Sequence, residues 1–247
     1  MHARQGRRVG TPIYSVHVVV PPRVGSPAMI HQRSTHRIVS VWFPALTLER
    51  WKRVIREYRT VPGDDVPVVL SRDGTHGPVV HAVSQAARDR GITTGSRVVD
   101  VQAIHPDLNV ETADLDGDRV LMERLVHWSR RWSPWSVQDE SDGLILDITG
   151  VAHLFGGEVK LLRDIYNRFA MQGLTARIAV APTRMAAQAL ARFGPARTSA
   201  TPPELADMLG PLPVGALRID PKTTLLLHRL GLKTIRALQD IPRSALM

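Results

Sequence analysis

Three acidic side chains stand close together in the middle of the chain, at Asp139, Glu140 and Asp142. Carboxylate oxygens are the ligands that Mg²⁺ prefers, and residues two apart on a strand share a face, so Glu140 and Asp142 could hold a single metal ion. The alternative interpretation is a solvated hairpin turn. We favour the turn, because no Asp or Glu occurs between Met1 and Leu48 that could complete the site from the first predicted strand.

Other metal-binding or nucleophilic chemistry has little support in the residue types. The sequence has no cysteine, which excludes disulfides, thiolate metal sites and cysteine nucleophiles and fits a reducing compartment. Zinc-ligand spacing is absent from the histidines at positions 76, 81, 105, 127, 153 and 228. Trp128, Trp132 and Trp135 could stack on nucleic-acid bases, but their helical spacing and strand neighbourhood favour core packing.

Basic residues outnumber acidic ones, and they are concentrated near the start. The net charge is +9, and residues 1–36 contain five arginines and no acid, which leaves +4 for the remainder. This mild excess permits contact with a phosphate backbone without establishing it. The candidates for such contacts are Arg72, Arg88, Arg97, Arg184, Arg192, Arg229, Lys233 and Arg236. No segment approaches the roughly 18 apolar residues of a membrane span, and we interpret residues 1–36 as a disordered tail.

The hydrophobic pattern predicts an α+β domain. Residues 37–43 form an apolar, β-branched run of strand length, and apolar residues from Leu46 to Tyr58 recur at helical spacing. Two strands in residues 66–83 and short helices at 84–90 and 96–104 follow. A helix whose buried face carries Leu121, Leu125, Trp128 and Trp132 precedes strands at 135–140 and 144–148, a helix ending at Gly173 and a strand at 175–181. This order predicts a ferredoxin-like sheet interrupted by an insertion at about residues 62–115.

The chain beyond Thr183 is predicted to be helical. Thr201-Pro-Pro-Glu204 has the composition of a capping box, and Asp220-Pro221 opens a helix that reaches Gly231. A further helix follows, so the two form a pair hinged on Gly231. This pattern resembles a helix-hairpin-helix motif, in which a glycine lets backbone N–H groups approach a phosphate. Gly231, Lys233 and Arg236 are therefore the predicted DNA-binding residues.

Five segments in this order resemble the Y-family (UmuC-like) DNA polymerase superfamily, and their wording is similar to its ImuB-type branch. They are IVSVWFP, VVHAVSQAARDRGITTGSRVVDVQAIHPDL, DGLILDITG with HLFGGE, ARIAVAPTRMAAQALAR and LHRLGLKTIRALQDIP. The resemblance implies a palm at 37–61 and 116–195, inserted fingers at 62–115 and a partial helical thumb at 196–247. It also implies that the chain stops inside the thumb and is a truncated form.

Matching the family's pattern to this chain implies a degenerate active site. The carboxylates that hold two Mg²⁺ ions in the family fall on Trp42, Asp142 and Gly143, so only Asp142 keeps its type. Asp147 corresponds to an acid outside the metal site, with a predicted role in a turn or strand-end hydrogen bond. The positions that contact the nucleotide phosphates fall on Gln85, Arg88 and Gln188. The resemblance thus implies no catalytic residue, and Mg²⁺ only if residual polymerase activity exists.

The function implied by the resemblance is that of a non-catalytic DNA-binding scaffold in DNA repair, translesion synthesis and SOS mutagenesis, in the cytoplasm. Implied partners are damaged or primer-template DNA, a C-family error-prone polymerase, a RecA-like ImuA-type protein and the sliding clamp. The contacts to the protein partners are expected mostly beyond Met247. Two alternatives stay open, namely an active Y-family polymerase and a truncated fragment without function.

Overall fold

The computed structural model describes residues 36–239 and Ile241; the predicted N-terminal tail lies outside the described residues apart from His36. The strands are β1 (Ile38–Trp42), β2 (Val68–Arg72), β3 (Val79–Val83), β4 (Asn109–Thr112), β5 (Ser136–Asp139), β6 (Gly143–Asp147), β7 (Arg177–Ala181) and β8 (Thr198–Ser199). The α-helices are α1 (Leu46–Ile55), α2 (Gln85–Asp89), α3 (Val98–Ile104), α4 (Leu115–Ser129), α5 (Glu158–Met171), α6 (Arg184–Phe193), α7 (Leu205–Leu209), α8 (Pro221–Arg229) and α9 (Ile235–Gln239). Two 3-10 helices span Ala152–Phe155 and Val214–Leu217.

The main sheet has five strands in the order β5-β6-β1-β7-β8. Strand β1 lies between β6 and β7 and pairs antiparallel with both, and β5 pairs antiparallel with β6. The four strands β1, β5, β6 and β7 therefore form the antiparallel sheet of a ferredoxin-like fold, with the β5–β6 hairpin at one edge. The predicted fold class is confirmed.

Alternation along β1 decides which side chain meets which helix. Val39 and Val41 are fully buried on the sheet face covered by α4 and α5, where they belong to the largest core cluster. Ile38 and Trp42 point to the opposite face and pack in a second cluster with α6. Because successive strand residues alternate between faces, a tryptophan at the end of β1 is placed under α6.

Aromatic side chains form the centre of the core on the α4–α5 face. The Phe43 and Phe169 rings meet edge-on at 4.9 Å, and Trp128 and Trp132 do the same at 4.9 Å. Trp132 is buried, although it follows the end of α4 instead of lying on it. Core packing was thus correctly predicted for Trp132, but the prediction for Trp135 was wrong, because this side chain is 75% exposed just before edge strand β5.

A second sheet with the order β3-β2-β4 is formed by residues between α1 and α4. The predicted hairpin of β2 and β3 is present, with a register shift between Leu70 and Ser71. Strand β4 was not predicted from the sequence, and it pairs parallel with β2. Its four residues include a single apolar side chain, Val110, and so carry no periodicity that could be recognised without the partner strand. The limits 62–115 for an inserted domain stay a prediction.

Two helix boundaries differ from the predicted ones. Helix α1 ends at Ile55, and Val54 and Tyr58 are 39% and 68% exposed, because the face turned to the second sheet is filled by Leu48, Trp51 and Ile55. The Thr201–Glu204 segment makes the predicted reciprocal contacts, since Thr201 N–H and its hydroxyl both donate to the Glu204 carboxylate. It forms a turn, however, and the helix begins only at Leu205.

The last described helices have the predicted caps. The Asp220 carboxylate accepts a 2.9 Å hydrogen bond from Thr223 N–H, with Pro221 in the first turn of α8. Gly231 separates α8 from α9 with a φ of +80°, a value that favours glycine. The helix pair hinged on glycine is therefore present, and its assignment to a partial thumb stays a prediction. Within the described part of the chain, no helix combines the length and the hydropathy needed to cross a membrane.

The aromatic core yields a test of the packing. Phe169→Ala removes a side chain that has no exposed surface and contacts three other aromatic rings. We expect the free energy of unfolding in a urea titration to fall by about 3–5 kcal/mol. Met171→Ala in the same helix, where the side chain is 86% exposed, should change it little. Equal losses in the two variants would contradict the described packing.

Candidate functional site

Two of the three positions matched to the family's metal site, Trp42 and Gly143, lie side by side on the sheet, and the third, Asp142, lies in the adjoining turn. Trp42 pairs with Gly143 across β1 and β6, and the same Gly143 pairs with Asp139 of β5, so the row Asp139, Gly143, Trp42 faces α6. The Trp42 indole donates its Nε1–H to the Asp142 carboxylate at 2.8 Å. The structure thus brings Trp42, Asp142 and Gly143 together, with an indole beside the remaining aspartate.

Asp139 is the most buried acid of the hairpin, with a side chain only 3% exposed. Its Oδ1 accepts hydrogen bonds from Gln188 Nε2 at 2.7 Å, from Arg184 at 3.0 Å and from Arg218 at 3.1 Å. Burial alone would raise the pKa of this carboxyl, but the bonds from Arg184, Gln188 and Arg218 outweigh it and the pKa lies below its ordinary value. Asp139 is therefore ionised at neutral pH.

Glu140 and Asp142 are also paired with arginines. Arg192 lies 3.0 Å from both carboxylates and its guanidinium stands 5.1 Å from the centre of the Trp42 ring. Arg218 contacts Glu140 as well as Asp139. Three acids thus meet three guanidinium groups, those of Arg184, Arg192 and Arg218, and we call these six residues the arginine–acid cluster.

The sequence-based expectations for this hairpin need two corrections. Glu140 and Asp142 do not share a strand face, because both lie in the turn between β5 and β6, where Glu140 has a φ of +54°. The hairpin is not simply a solvated turn either, since Asp139 is buried. The sequence did not indicate this burial because the partners that make it possible are distant in sequence. Contacts from α6 and Arg218 compensate for the cost of burying the charged Asp139 side chain.

The backbone around Gly143 leaves little room for a larger residue. A Cβ at this position would lie 3.0 Å from the Asp139 carbonyl oxygen and 3.1 Å from that of Val41. These distances are shorter than ordinary van der Waals contacts, and both atoms belong to the paired strands. A second carboxylate beside Asp142 therefore requires the backbone to shift.

The three residues matched to nucleotide-phosphate contacts lie in different surroundings. Arg88 lines a cavity of about 720 Å³ between α1 and the second sheet, together with Trp42 and Asp142. Gln188 is 1% exposed and bonded to Asp139, and its Oε1 has no hydrogen-bond partner within the described residues. Gln85 bonds Asp89 at the surface of α2. Among these three, Arg88 is the one that faces the cavity; the roles of all three stay predictions.

The cavity has a cationic wall. Arg72 and Arg88 line it without an ion-pair partner in the described residues, whereas Arg119 is paired with Glu123. The acids of the lining, Asp118 and Asp142, are bonded to Arg50 and Arg192. His81 also lines the cavity, and burial together with nearby Arg72 lowers its pKa. His81 is thus neutral at pH 7 and adds no positive charge, so the arginines set the sign of the wall.

The donor set does not fit a divalent metal. Mg²⁺ requires free carboxylate oxygens, whereas the three acids of the cluster already bind guanidinium groups. In residues 36–239 and Ile241, no three His, Asp or Glu side chains are arranged to hold a metal ion. The arrangement stabilises the hairpin and offers charged and aromatic surface, but it provides no metal site.

Sequence reasoning missed the partners of the acids. Arg184, Gln188 and Arg192 are spaced by four residues and share one face of α6, a signal that could have linked them. Arg184 and Arg192 had instead been assigned to DNA contacts. Arg218 follows the second 3-10 helix, 79 residues from Asp139, and no local pattern connects the two.

Asp147 and the three predicted DNA-binding residues lie away from the arginine–acid cluster's hydrogen bonds. Asp147 accepts a 2.9 Å hydrogen bond from Thr149 N–H, which is the predicted strand-end role. Gly231, Lys233 and Arg236 lie near the hinge between α8 and α9, and Arg236 is 3.7 Å from Asp207. Their contact with DNA stays a prediction.

Comparisons with known proteins agree on one family. The impB/mucB/samB family model matches residues 60–192. Protein ImuB from two strains of Caulobacter vibrioides, NA1000 / CB15N and ATCC 19089 / CIP 103742 / CB 15, is 42% identical over 156 residues, which cover 63% of this chain and 34% of the relative. The match thus spans about a third of the length of these curated relatives.

Solved structures share the fold at low sequence identity. A crystal structure of DinB from Sulfolobus solfataricus has a TM-score of 0.70 and 19% identity, covering 85% of this chain and 62% of that one. An insertion ternary complex of Dbh DNA polymerase has a TM-score of 0.70 and 18% identity, with the same coverage. At this identity the likeness concerns the fold.

The buried Asp139 predicts an acid-dependent loss of stability. Because its folded-state pKa is lowered, ionised Asp139 stabilises the fold above its ordinary pKa of about 4, and this contribution is lost as the pH falls through the lowered value. Asp139→Asn should reduce the free energy of unfolding by about 3 kcal/mol at pH 7, since three donors lose a charged acceptor. The difference from the wild type should shrink below pH about 4.

The measurement is a series of urea titrations between pH 7 and pH 3, with Asp116→Asn as the control. The Asp116 side chain is 92% exposed and pairs loosely with Arg119, so this variant should stay close to the wild type throughout. A deficit of Asp139→Asn that is unchanged at pH 3 would contradict the assigned charge.

Proposed function

The chain belongs to the impB/mucB/samB family of UmuC-like, Y-family polymerase folds, and from this premise we propose that it is a non-catalytic, DNA-binding scaffold for translesion synthesis. The proposal extends to DNA repair and SOS mutagenesis in the cytoplasm, where a separate polymerase would carry out the synthesis. The chain's match to the curated relatives covers about a third of their length, so the activity of a whole protein is part of the proposal.

The observation that carries the proposal is the arginine–acid cluster. Two-metal nucleotidyl transfer needs carboxylates on adjacent strands with oxygens free to bind both ions. Here Trp42 contributes an indole N–H, which is a hydrogen-bond donor and cannot ligate a cation. Asp139, Glu140 and Asp142 are neutralised by the chain's own guanidinium groups. A metal at Asp142, the one carboxylate among the matched positions, would have to displace Arg192 and the Trp42 N–H.

DNA association is supported by position and charge. Gly231 has the positive φ of a tight hinge, and Lys233 and Arg236 follow it within five residues. The N–H groups of Gly231, Leu232 and Lys233 donate to carbonyl oxygens of the chain, so the support for a phosphate contact comes from the side chains of Lys233 and Arg236. The solved polymerase structures of the same fold include a ternary complex, which supports DNA as the partner class.

The proposed protein partners are supported only by the likeness of this chain to its relatives. We include a C-family error-prone polymerase, a RecA-like ImuA-type protein and the sliding clamp. The structure describes a single chain and so carries no information on protein partners. The support for these three classes is the likeness to ImuB.

Primer extension tests the absence of catalysis. The purified chain should add no nucleotide to a primer-template in Mg²⁺ or Mn²⁺, because the acids of the cluster are paired with arginines. Denaturing gels with an active polymerase as positive control give the measurement. Extension by the wild type that disappears in Asp142→Ala would overturn the proposal and support a residual polymerase.

A gel shift on primer-template DNA tests the predicted DNA contacts. Lys233→Ala/Arg236→Ala should weaken binding and lower the slope of log K against log salt by about 2, as expected for two lost phosphate contacts. The matched control is Arg163→Ala/Arg168→Ala on α5, which removes two exposed cations and should affect binding less. Equal effects of both pairs would contradict a specific role of the hinge, and no shift at low salt would favour a fragment without function.

A further inference from the structure

A groove that the proposed function leaves unused lies along α4, at the margin of the core that α4 and α5 cover. Its cavity of about 610 Å³ is lined mainly by Val120, Leu121, Leu125 and Trp128 of α4 and by Gln172 at the end of α5. Leu121, Leu125 and Trp128 recur at i, i+4 and i+7, so they form a stripe along the helix. Leu125 is 3% exposed and belongs to the core, whereas Leu121 and Trp128 are only partly buried against it, so the accessible apolar surface of the groove comes from these two residues and Val120.

Cations surround this apolar stripe. Arg124 lines the groove, Arg131 places its guanidinium 4.0 Å from the centre of the Trp128 ring, and Arg53 donates to the Gln172 carbonyl oxygen at the far end. Within the described range, none of these three arginines has a carboxylate within 4.0 Å. The acid in the lining, Glu123, is already paired with Arg119 at 2.7 Å. The rim therefore carries an unbalanced positive charge.

The geometry of Trp128 favours a protein ligand over a nucleic acid. One face of its ring is covered by Arg131, and its edge packs against Trp132 at 4.9 Å and 90°. A base would therefore have to displace Arg131 from the ring face that it covers. The apolar side chains of Val120, Leu121 and Leu125 also offer no hydrogen bonds to bases. An apolar stripe with charged margins instead matches the helix-in-groove mode of peptide recognition.

We propose that the α4 groove binds an acidic amphipathic helix of a partner protein. Its apolar residues contact Val120, Leu121 and Trp128, and its carboxylates pair with Arg53, Arg124 and Arg131. Charge complementarity selects an acidic helix, because each rim arginine lacks a carboxylate of its own in the described structure. The site lies on α4, opposite the sheet face that holds the arginine–acid cluster, and it does not depend on whether the chain binds or copies DNA.

The test uses the full chain and three fluorescein-labelled peptides with the 15-residue length of α4. The first has leucines at i, i+4, i+7 and i+11 and glutamates at the flanking positions, the second is its scramble, and the third has lysine for every glutamate. Fluorescence anisotropy should show saturable binding of the first peptide, at least about tenfold tighter than that of the other two, and weaker at high salt.

Variants locate the binding on the chain. Arg124→Glu and Arg131→Glu should each weaken the acidic peptide by about tenfold or more, because an attraction becomes a repulsion. Arg163→Glu, an exposed site on α5 outside the groove, is the matched control and should bind as the wild type does. Circular dichroism checks that each variant is folded.

Three results would overturn the proposal. They are the absence of saturable binding by the acidic helix, equal binding of the acidic and lysine peptides, and equal losses in Arg124→Glu and Arg163→Glu. A labelled oligo-dT that competes for the same site and binds more tightly than the acidic peptide would also overturn it, in favour of a nucleic-acid surface.

Discussion

The ionised carboxylate of Asp139 lies under α6, where an unpaired charge would destabilise the fold by several kcal/mol. Gln188 and Arg184 come from α6, whereas Arg218 comes from the segment before α8, so one buried charge fixes the position of two elements. Arg218 continues from Asp139 to Glu140, and Arg192 links that acid to Asp142 and Trp42. The conformation of the β5–β6 turn depends on these partners, because Glu140 occupies a left-handed backbone conformation that a non-glycine residue rarely adopts.

In this chain, arginine–carboxylate pairs occupy the place where the family's metal-dependent members bind metal ions. Metal-dependent polymerases need carboxylates that are free to bind metal ions. In this chain the negative charge of the carboxylates is neutralised by arginine side chains, which are part of the chain itself and, unlike bound ions, cannot leave it. Arginine suits this role because its planar fork serves two carboxylates at once, as Arg192 does for Glu140 and Asp142. The neighbouring cavity is open and lined by arginines. It could therefore bind an anionic ligand even though the cluster beside it has no free carboxylates for catalysis.

The two faces of the main sheet separate two kinds of surface. The face under α6 carries the arginine–acid cluster, and the helix pair hinged on Gly231 follows it in sequence. The opposite face is covered by α4 and α5, whose aromatic core rigidly supports the groove along α4. The proposed scaffold role requires such separation, since a protein partner and DNA could then contact the chain without competing for the same residues.

Apart from the short strands β4 and β8, the sequence by itself determined the main elements and their order, because strand and helix periodicities are local and the antiparallel sheet follows from strands of this order. It also identified Trp42, Asp142 and Gly143 as one set, since they match a linear family pattern. It did not reveal the state of Asp139, the pairing of β4 with β2 or the exposure of Trp135. These depend on contacts between residues far apart in sequence, such as the 79 residues between Asp139 and Arg218. The tertiary structure alone decided that the hairpin acids are neutralised by arginines, because the cost of burying a charge is set by whatever side chains surround it in space.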